Sequence, residues 1–537
     1  MATLSSCTLL PLNSDFRFNP VRRSFRNKIH CHRLNSHVSQ WGNLKHVGFD
    51  RFRCFSINNK DGVDAEGETG NNNDSKPNVT TTSPDEDKST TPSVSQMSSL
   101  YSLESVYNEA ILDSFKLMEL LEPEKVDPAD VKLIKDKLFG YSTFWVTREE
   151  PFGEYGEGVL FIGNLRGKRE DVFSILQNRL VEAIGDKYRL FMLEEPESDS
   201  YDPRGGPRVS FGLALKEVFE PKGTTLWEYV IASLLFFLTI GTSVELGIAS
   251  QISRLPLELV KFLKDPNYTQ VPDMELLYPF VDSALPVAYG VLGVLLFHEV
   301  GHFLAAFPKR VKLGIPFFIP HITLGSFGAI TQFKSVLPDR STQVDISLAG
   351  PFAGSVLSFS MFAVGLLLSS NPDAAGDLVQ VPSTLFQGSL LLGLISRATL
   401  GYAAIHAATV SIHPLVIAGW CGLTIQAFNM LPAGCLDGGR SVQGAFGKCA
   451  QGVFSLTTYL LLGLGVLGGP LSLAWGCFAI FAQMSPEKPC LDDVTEVGTW
   501  RQSFVAVAIF LAVLTLLPVS DELADELGIG LVNTFQF

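Results

Sequence analysis

His298-Glu299-Val300-Gly301-His302 stands inside an apolar run, with Val291-Leu-Gly-Val-Leu-Leu-Phe297 before it and Phe303-Leu-Ala-Ala-Phe307 after it. Apolar flanks on both sides predict a helix fit to enter a bilayer, and that helix decides the fold. On it, positions 298 and 302 share one face, so two imidazole nitrogens can converge on one metal ion. Glu299 lies beside that face, placed to take a proton from a water held there. The alternative is a surface helix whose His and Glu fall in register by chance. The flanks argue against it, because ionisable groups in hydrocarbon are costly unless paired or ligated and are functional by default.

Two unlike halves surround this motif. Of 537 residues 46% are hydrophobic and only 18% are charged, yet residues 1–220 are polar, and long apolar runs begin near Thr225. Candidate spans are 227–248, 280–307, 345–368, 385–401, 414–431, 452–467, 471–484 and 504–519. They predict about eight crossings of roughly 20 residues, some of them half-length. Between the second and third lies Leu313–Phe333, apolar but broken by Pro316, Pro320, Gly325 and Gly328. A re-entrant or strand-like hairpin is expected there, since irregular backbone at membrane depth is tolerated only when packed in protein. The fold class is thus a polytopic α-helical membrane protein with this hairpin, preceded by a small α+β soluble domain.

Composition sets the boundaries. Residues 1–60 carry ten Lys and Arg against Asp15 and Asp50, with scattered Ser and no long apolar stretch. That is the pattern of an organellar transit peptide, and the uncharged start Met1-Ala-Thr-Leu-Ser-Ser favours the chloroplast. Residues 61–98 are rich in Asn, Asp, Ser and Thr and cannot bury enough surface to offset chain entropy, so a disordered acidic and polar linker is expected. Residues 99–222 read as the soluble domain and 223–537 as the membrane-embedded one. In the former, helices are predicted at 103–121, 127–139 and near 169–184, with Asp127-Pro128 supplying an N-cap and first helical position. Strands are predicted at 142–147, 158–163, 188–193 and 208–212. The basic turn Gly163-Asn-Leu-Arg-Gly-Lys-Arg169 reads as a solvated strand-to-helix connection.

A net charge of -14 with no basic tract speaks against a nucleic-acid partner. No G-x-x-x-x-G-K-[ST] occurs, so neither a nucleotide nor an ATP-driven motor is expected within the chain. Eight cysteines without a C-x-x-C pair read as buried or free thiols. Lys309, Arg310 and Lys312 follow the motif helix while Asp273, Glu275 and Asp282 precede it, which points its C-terminal end to the stromal side of a plastid membrane. Counting back across one span places the soluble domain in the stroma as well.

Two His leave a catalytic zinc one protein ligand short. Asn429-Met-Leu-Pro432-Ala-Gly-Cys-Leu-Asp437-Gly-Gly439 stands out because Pro432 and the glycines interrupt a helix and Asp437 opens the next. An Asp before Gly-Gly commonly serves as a cap or turn residue. Beside an unfilled zinc, the ligand reading is the better one.

Together, His298-Glu299-x-x-His302, Gly350-Pro-Phe-Ala-Gly354 and Asn429-x-x-Pro432-x-x-x-x-Asp437-Gly438 resemble the site-2 protease family of intramembrane zinc metalloproteases. The resemblance implies that His298, His302 and Asp437 hold Zn2+, that Glu299 is base and acid, and that Asn429, Pro432 and Gly438 support the site. It implies an ATP-independent endopeptidase whose partners are membrane-spanning protein substrates and the lipid bilayer. It also implies multi-pass residence in a chloroplast membrane, thylakoid or inner envelope, and a part in chloroplast development. The rival readings are a catalytically silent membrane scaffold or chaperone with a structural metal site, and an ion transporter. Against the transporter, no ladder of further acids crosses the other spans.

Overall fold

The computed structural model of the protein describes residues 125–530, apart from 154–155, 196–206, 221–222, 265–274, 276, 372–377 and 483–486. The expected transit peptide, linker and helix at 103–121 lie outside these residues.

The N-terminal part of the described residues is built on a four-stranded antiparallel sheet in the order β1-β2-β4-β3, formed by β1 Phe144–Phe152, β2 Gly158–Leu165, β3 Tyr188–Glu194 and β4 Val209–Leu215. Helices α1 Pro128–Leu138 and α2 Arg169–Ile184 cover one face. The side chain of Asp127 caps α1 by accepting from the Ala129 amide at 2.9 Å, as the sequence predicts. On that face Phe144, Phe161 and Phe211 pack under Ile134, Leu138, Leu176 and Leu180. The other face presents Phe152, Phe191 and Phe219 to Val336 and Leu491 of the membrane part. This explains why β4 is buried along its whole length: both its faces are covered, so its sequence is continuously apolar instead of alternating. Asp130 accepts hydrogen bonds from Lys187 and Tyr188, and these hold its carboxyl below the ordinary aspartate pKa.

The open edge of β3 is not left bare. Met192 N–H donates to Leu491 O at 2.7 Å, and Asp493 N–H donates to Met192 O at 3.0 Å. The same short stretch turns its other edge to the membrane part, where Leu491 N–H reaches Leu337 O at 2.8 Å and Asp492 N–H reaches Pro338 O at 3.0 Å. Just before it, Lys488 Nζ donates to Phe219 O at 2.8 Å. Burial lowers the Lys488 pKa and raises that of the Cys490 thiol. A strap from a distant part of the chain thus occupies an exposed edge that would otherwise invite aggregation.

In the membrane part, four helices are long and apolar enough to cross a bilayer: α3 Leu226–Ser250, α4 Leu277–Ala306, α5 Arg340–Ser369 and α11 Thr499–Leu516. The other expected spans form shorter helices, α6 Leu390–Leu400 and α10 Ser472–Ala482 with 11 residues and α7 Pro414–Asn429 and α9 Lys448–Gly463 with 16. At 1.5 Å per residue, 16 residues reach about 24 Å against a hydrocarbon core of about 30 Å. A 10-residue helix, α8 Asp437–Phe446, follows α7. Helix α7 is buried almost throughout. It packs closely because Gly365, Gly419 and Gly422 put backbone against neighbouring helices where a Cβ would meet Val416, Phe362 or Ser358 inside 3 Å, the small-residue contact expected of helices in lipid. By contrast α3 exposes Trp227, Leu234 and Phe237, and α4 exposes Leu296, Phe297 and Phe303. The expected hairpin is present as β5 Phe317–His321 and β6 Gly325–Ile330, antiparallel and packed on α3, where Thr242 Oγ1 donates to Gly325 O at 2.6 Å.

Candidate metal centre

His298 and His302 lie one turn apart on α4 with their rings facing the start of α8, and both are buried. The two Nε2 atoms are 3.0 Å apart. Asp437 Oδ2 lies 3.2 Å from the first and 3.3 Å from the second. The N-cap of α8 is Leu436, so Asp437 is the first helical residue and its carboxylate is turned to the imidazoles, not used as a cap. His302 Nδ1 is 2.8 Å from the backbone carbonyl of Ile346, which can only accept, so Nδ1 carries the proton. His298 Nδ1 donates likewise to Gln426 Oε1 at 2.7 Å. With Nδ1 so engaged, each ring turns its Nε2 toward Asp437, which is how a ligating histidine is held by its outer partners.

This donor set fits zinc. A tetrahedral ion with bonds of about 2.0–2.1 Å separates its ligands by about 3.4 Å, close to the spacing found among these three atoms. Two nitrogens and one carboxylate oxygen make a common catalytic set that leaves a fourth position open.

Glycines make the approach possible. A Cβ on Gly350 of α5 would stand 2.2 Å from His302 Nε2, and one on Gly354 would meet Gln426 at 2.5 Å. The Gly350-Pro-Phe-Ala-Gly354 motif is therefore the surface on which the His302 ring and Gln426, the partner of His298, are seated. Gly301, between the two histidines, faces Ala349 O in the same way at 2.4 Å. Gly438 and Gly439 let the turn from α7 into α8 fold back on itself, since a Cβ would sit 2.1 Å from Met430 O and from Gly434 O respectively. Pro432 is buried in that turn, where its missing N–H leaves no donor unpaired.

Glu299 directly follows His298. Its Oε2 accepts from Thr331 Oγ1 at 2.7 Å, and its Oε1 is buried with no hydrogen-bond partner among the described residues. Thr331 follows β6 directly, so the hairpin presents the hydroxyl that orients the carboxylate. Arg440, one turn beyond Asp437 on α8, donates to Thr331 O at 2.8 Å and to Glu487 at 2.9 Å, and stacks over Phe333 at 4.5 Å. Asn429 is brought to the same region but its amide is committed: Nδ2 donates to Ile425 O at 2.9 Å and to Phe327 O at 3.3 Å. It braces β6 against α7.

The sequence profile of peptidase family M50 matches residues 286–464, and that of the EGY3 middle domain matches residues 132–219. The chain is 76% identical over 433 residues to the probable zinc metalloprotease EGY1, chloroplastic, of Arabidopsis thaliana, covering 81% of this chain and 79% of the relative. The chain belongs to peptidase family M50. A relative of the same description from Oryza sativa subsp. japonica is 71% identical over 425 residues, with 79% and 73% covered. The probable zinc metalloprotease EGY2, chloroplastic, of Arabidopsis thaliana is 33% identical over 401 residues, with 75% and 67% covered. No solved structure matches. The resemblance drawn from three short motifs is thus matched by the family profile over residues 286–464, and the similarity to the EGY1 relatives extends over most of the chain.

Gln426, Thr331, Arg440 and the Ile346 carbonyl escape the sequence reading. Gln426 alone left a signal, as an uncharged amide in an otherwise apolar stretch and one turn before Asn429. The others matter through contacts between distant segments, which periodicity does not register.

Proposed function

We propose that the chain is an intramembrane zinc endopeptidase that cleaves membrane-spanning proteins in a chloroplast membrane. One observation carries the reading: two imidazoles and a carboxylate converge within 3.3 Å beside a glutamate whose second oxygen has no hydrogen-bond partner among the described residues. His298, His302 and Asp437 would hold the ion. When bound, such an ion acidifies a water and polarises a peptide carbonyl. Glu299 Oε1 then accepts a proton and later returns it to the leaving amine, while Thr331 keeps Oε2 occupied so that only one oxygen turns to the substrate. Water must reach the pocket while lipid does not, and the hairpin and α8 wall it with protein.

A substrate bond must leave its helix before its carbonyl is accessible. We infer that the hairpin accepts the unwound segment by backbone pairing, because β6 leads directly into Thr331 and so toward Glu299. The soluble sheet belongs on the stromal side with the C-terminal end of α4, a placement supported by the basic residues 309–312 and by the strap joining both parts. The domain boundaries at 60, 98 and 222, and the part in chloroplast development, belong to the same proposal.

Glu299→Gln in the full chain tests it. Metal content by mass spectrometry should equal that of the parent, while cleavage of a single-span reporter in proteoliposomes falls by at least about 10³-fold, the scale of losing a general base and more. Undiminished cleavage would refute the assignment. A scaffold would keep its biological effect in Glu299→Gln and lose it only when the ligands are removed.

A further inference from the structure

The C-terminal end of α4 carries more positive charge than its surroundings neutralise. A cleft of about 1300 Å3 opens there against the soluble sheet, and Arg189, Lys216, Lys309, Arg310, Lys312 and Lys334 line it. Four of the six are answered: Arg189 by Asp186 and Glu220, Lys216 by Asp186, Lys309 by Asp345 and Lys334 by Glu228. Glu220 is the one acidic residue among the lining residues. The side chains of Arg310 and Lys312 are exposed and have no ion-pair partner among the described residues.

Arg310 is distinctive in a second way. Its φ is 55°, the one positive value at a non-glycine position among the described residues. It closes the 3₁₀ turn Phe307–Lys309 that prolongs α4, in the left-handed conformation where glycine is the usual choice, with Val311 N–H donating back to Ala306 O at 3.2 Å. Retaining a side chain at a position that favours none directs attention to what the guanidinium does there. Toward the bilayer, the same cleft is lined by Phe303 and Phe307, exposed and with rings 5.8 Å apart. Cations at the rim of a span with aromatic and aliphatic surface directly beneath match both ends of one kind of molecule.

We propose that this cleft binds an anionic glycerolipid, its phosphate or sulfonate headgroup on Arg310 and Lys312 and an acyl chain along Phe303 and Phe307. A soluble anion would account for the cations but not for the apolar floor. The inference rests on the reading that α4 crosses the membrane.

The full chain, placed in nanodiscs of equal parts phosphatidylglycerol and phosphatidylcholine, tests it by native mass spectrometry of the lipid retained after detergent release. Enrichment of phosphatidylglycerol is expected for the parent. Arg310→Gln with Lys312→Gln should abolish that enrichment at unchanged metal content, Arg310→Lys with Lys312→Arg should keep it, and Phe303→Ala with Phe307→Ala should reduce it several-fold. No enrichment in the parent, or full enrichment in the Gln pair, overturns the proposal. So does displacement of phosphatidylglycerol by millimolar inorganic phosphate, which would assign the cations to a free anion. Release of the protein from membranes by alkaline carbonate would overturn the membrane reading itself, a result distinguishable from retention without lipid selectivity.

Discussion

Gly350→Ala is the smallest change that strikes the metal centre without touching a ligand. The added methyl carbon would stand 2.2 Å from His302 Nε2, whereas ordinary contact begins near 3.4 Å, so helix or ring must yield by roughly 1 Å. Helix α5 cannot withdraw easily, because Gly301 and Gly354 hold it against α4 and Gln426. The ring therefore moves, and with it both the lone pair aimed at the ion and the Nδ1 bond to Ile346 O. Overpacking of this kind costs about 1–3 kcal/mol of stability. Loss of a ligand's outer hydrogen bond lowers metal affinity by about 10–100-fold, and a displacement of about 1 Å at reacting groups costs about 10²-fold in rate. Gly452→Ala supplies the control, since nothing lies within 4 Å of its would-be Cβ in the interior of α9, where alanine favours the helix by up to about 1 kcal/mol. Metal content, reporter cleavage and thermal unfolding are measured on both. Full metal retention and full cleavage in Gly350→Ala would refute the placement of α5 against His302.

Other outcomes follow from the same contacts. Gln426→Leu removes the partner of His298 Nδ1 and should weaken metal binding by about 10–100-fold, read by competition with a chelator. Thr331→Val should leave metal content intact and lower kcat by about 10-fold or more, because Glu299 Oε2 loses the hydroxyl that donates to it. Arg440→Ala strands a largely buried Glu487 and should destabilise by about 3–5 kcal/mol, with Arg440→Met plus Glu487→Leu recovering most of the loss in thermal unfolding. In the soluble sheet, the lowered pKa of Asp130 means that its folded-state contribution is present above the ordinary aspartate value of about 3.9 and disappears as pH falls through the folded value. Amide-exchange protection of α1 in the full chain should show that acid step, and Asp130→Asn should lack it.

Spacing and apolar flanks together made His298, Glu299 and His302 legible, because a helix converts positions four apart into one face and ionisable groups in hydrocarbon are functional by default. Asp437 was legible through chemistry, as a carboxylate in a proline- and glycine-broken segment when a ligand was wanting. The elements of the N-terminal sheet and its helices emerged with boundaries within about three residues, and Arg169–Ile184 with none to adjust, since β-branched runs and caps are local signals, but β1 runs on to Phe152, well past its expected end at Thr147. Hydropathy could not tell a full crossing from a shorter apolar helix, whether buried like α7 with 16 residues or only partly covered like α6 with 11. Nor could it find Thr331 under Glu299 or Leu491 beside Met192, which depend on chain segments 32 residues apart in the first case and far more in the second.

The strap at 488–493 bears on how this chain can change over time. Side chains alternate across an extended segment, so one inserted residue would turn Leu491 away from Phe152 and Phe191 and slip every amide that reaches Met192, Leu337 and Pro338. Residues there can be exchanged for others of like character, but the length between Glu487 and Val494 is fixed from both sides at once. Natural variation in size should accumulate elsewhere, and a tag or a loop inserted within this stretch should release the soluble sheet from the membrane part while leaving each with its own core.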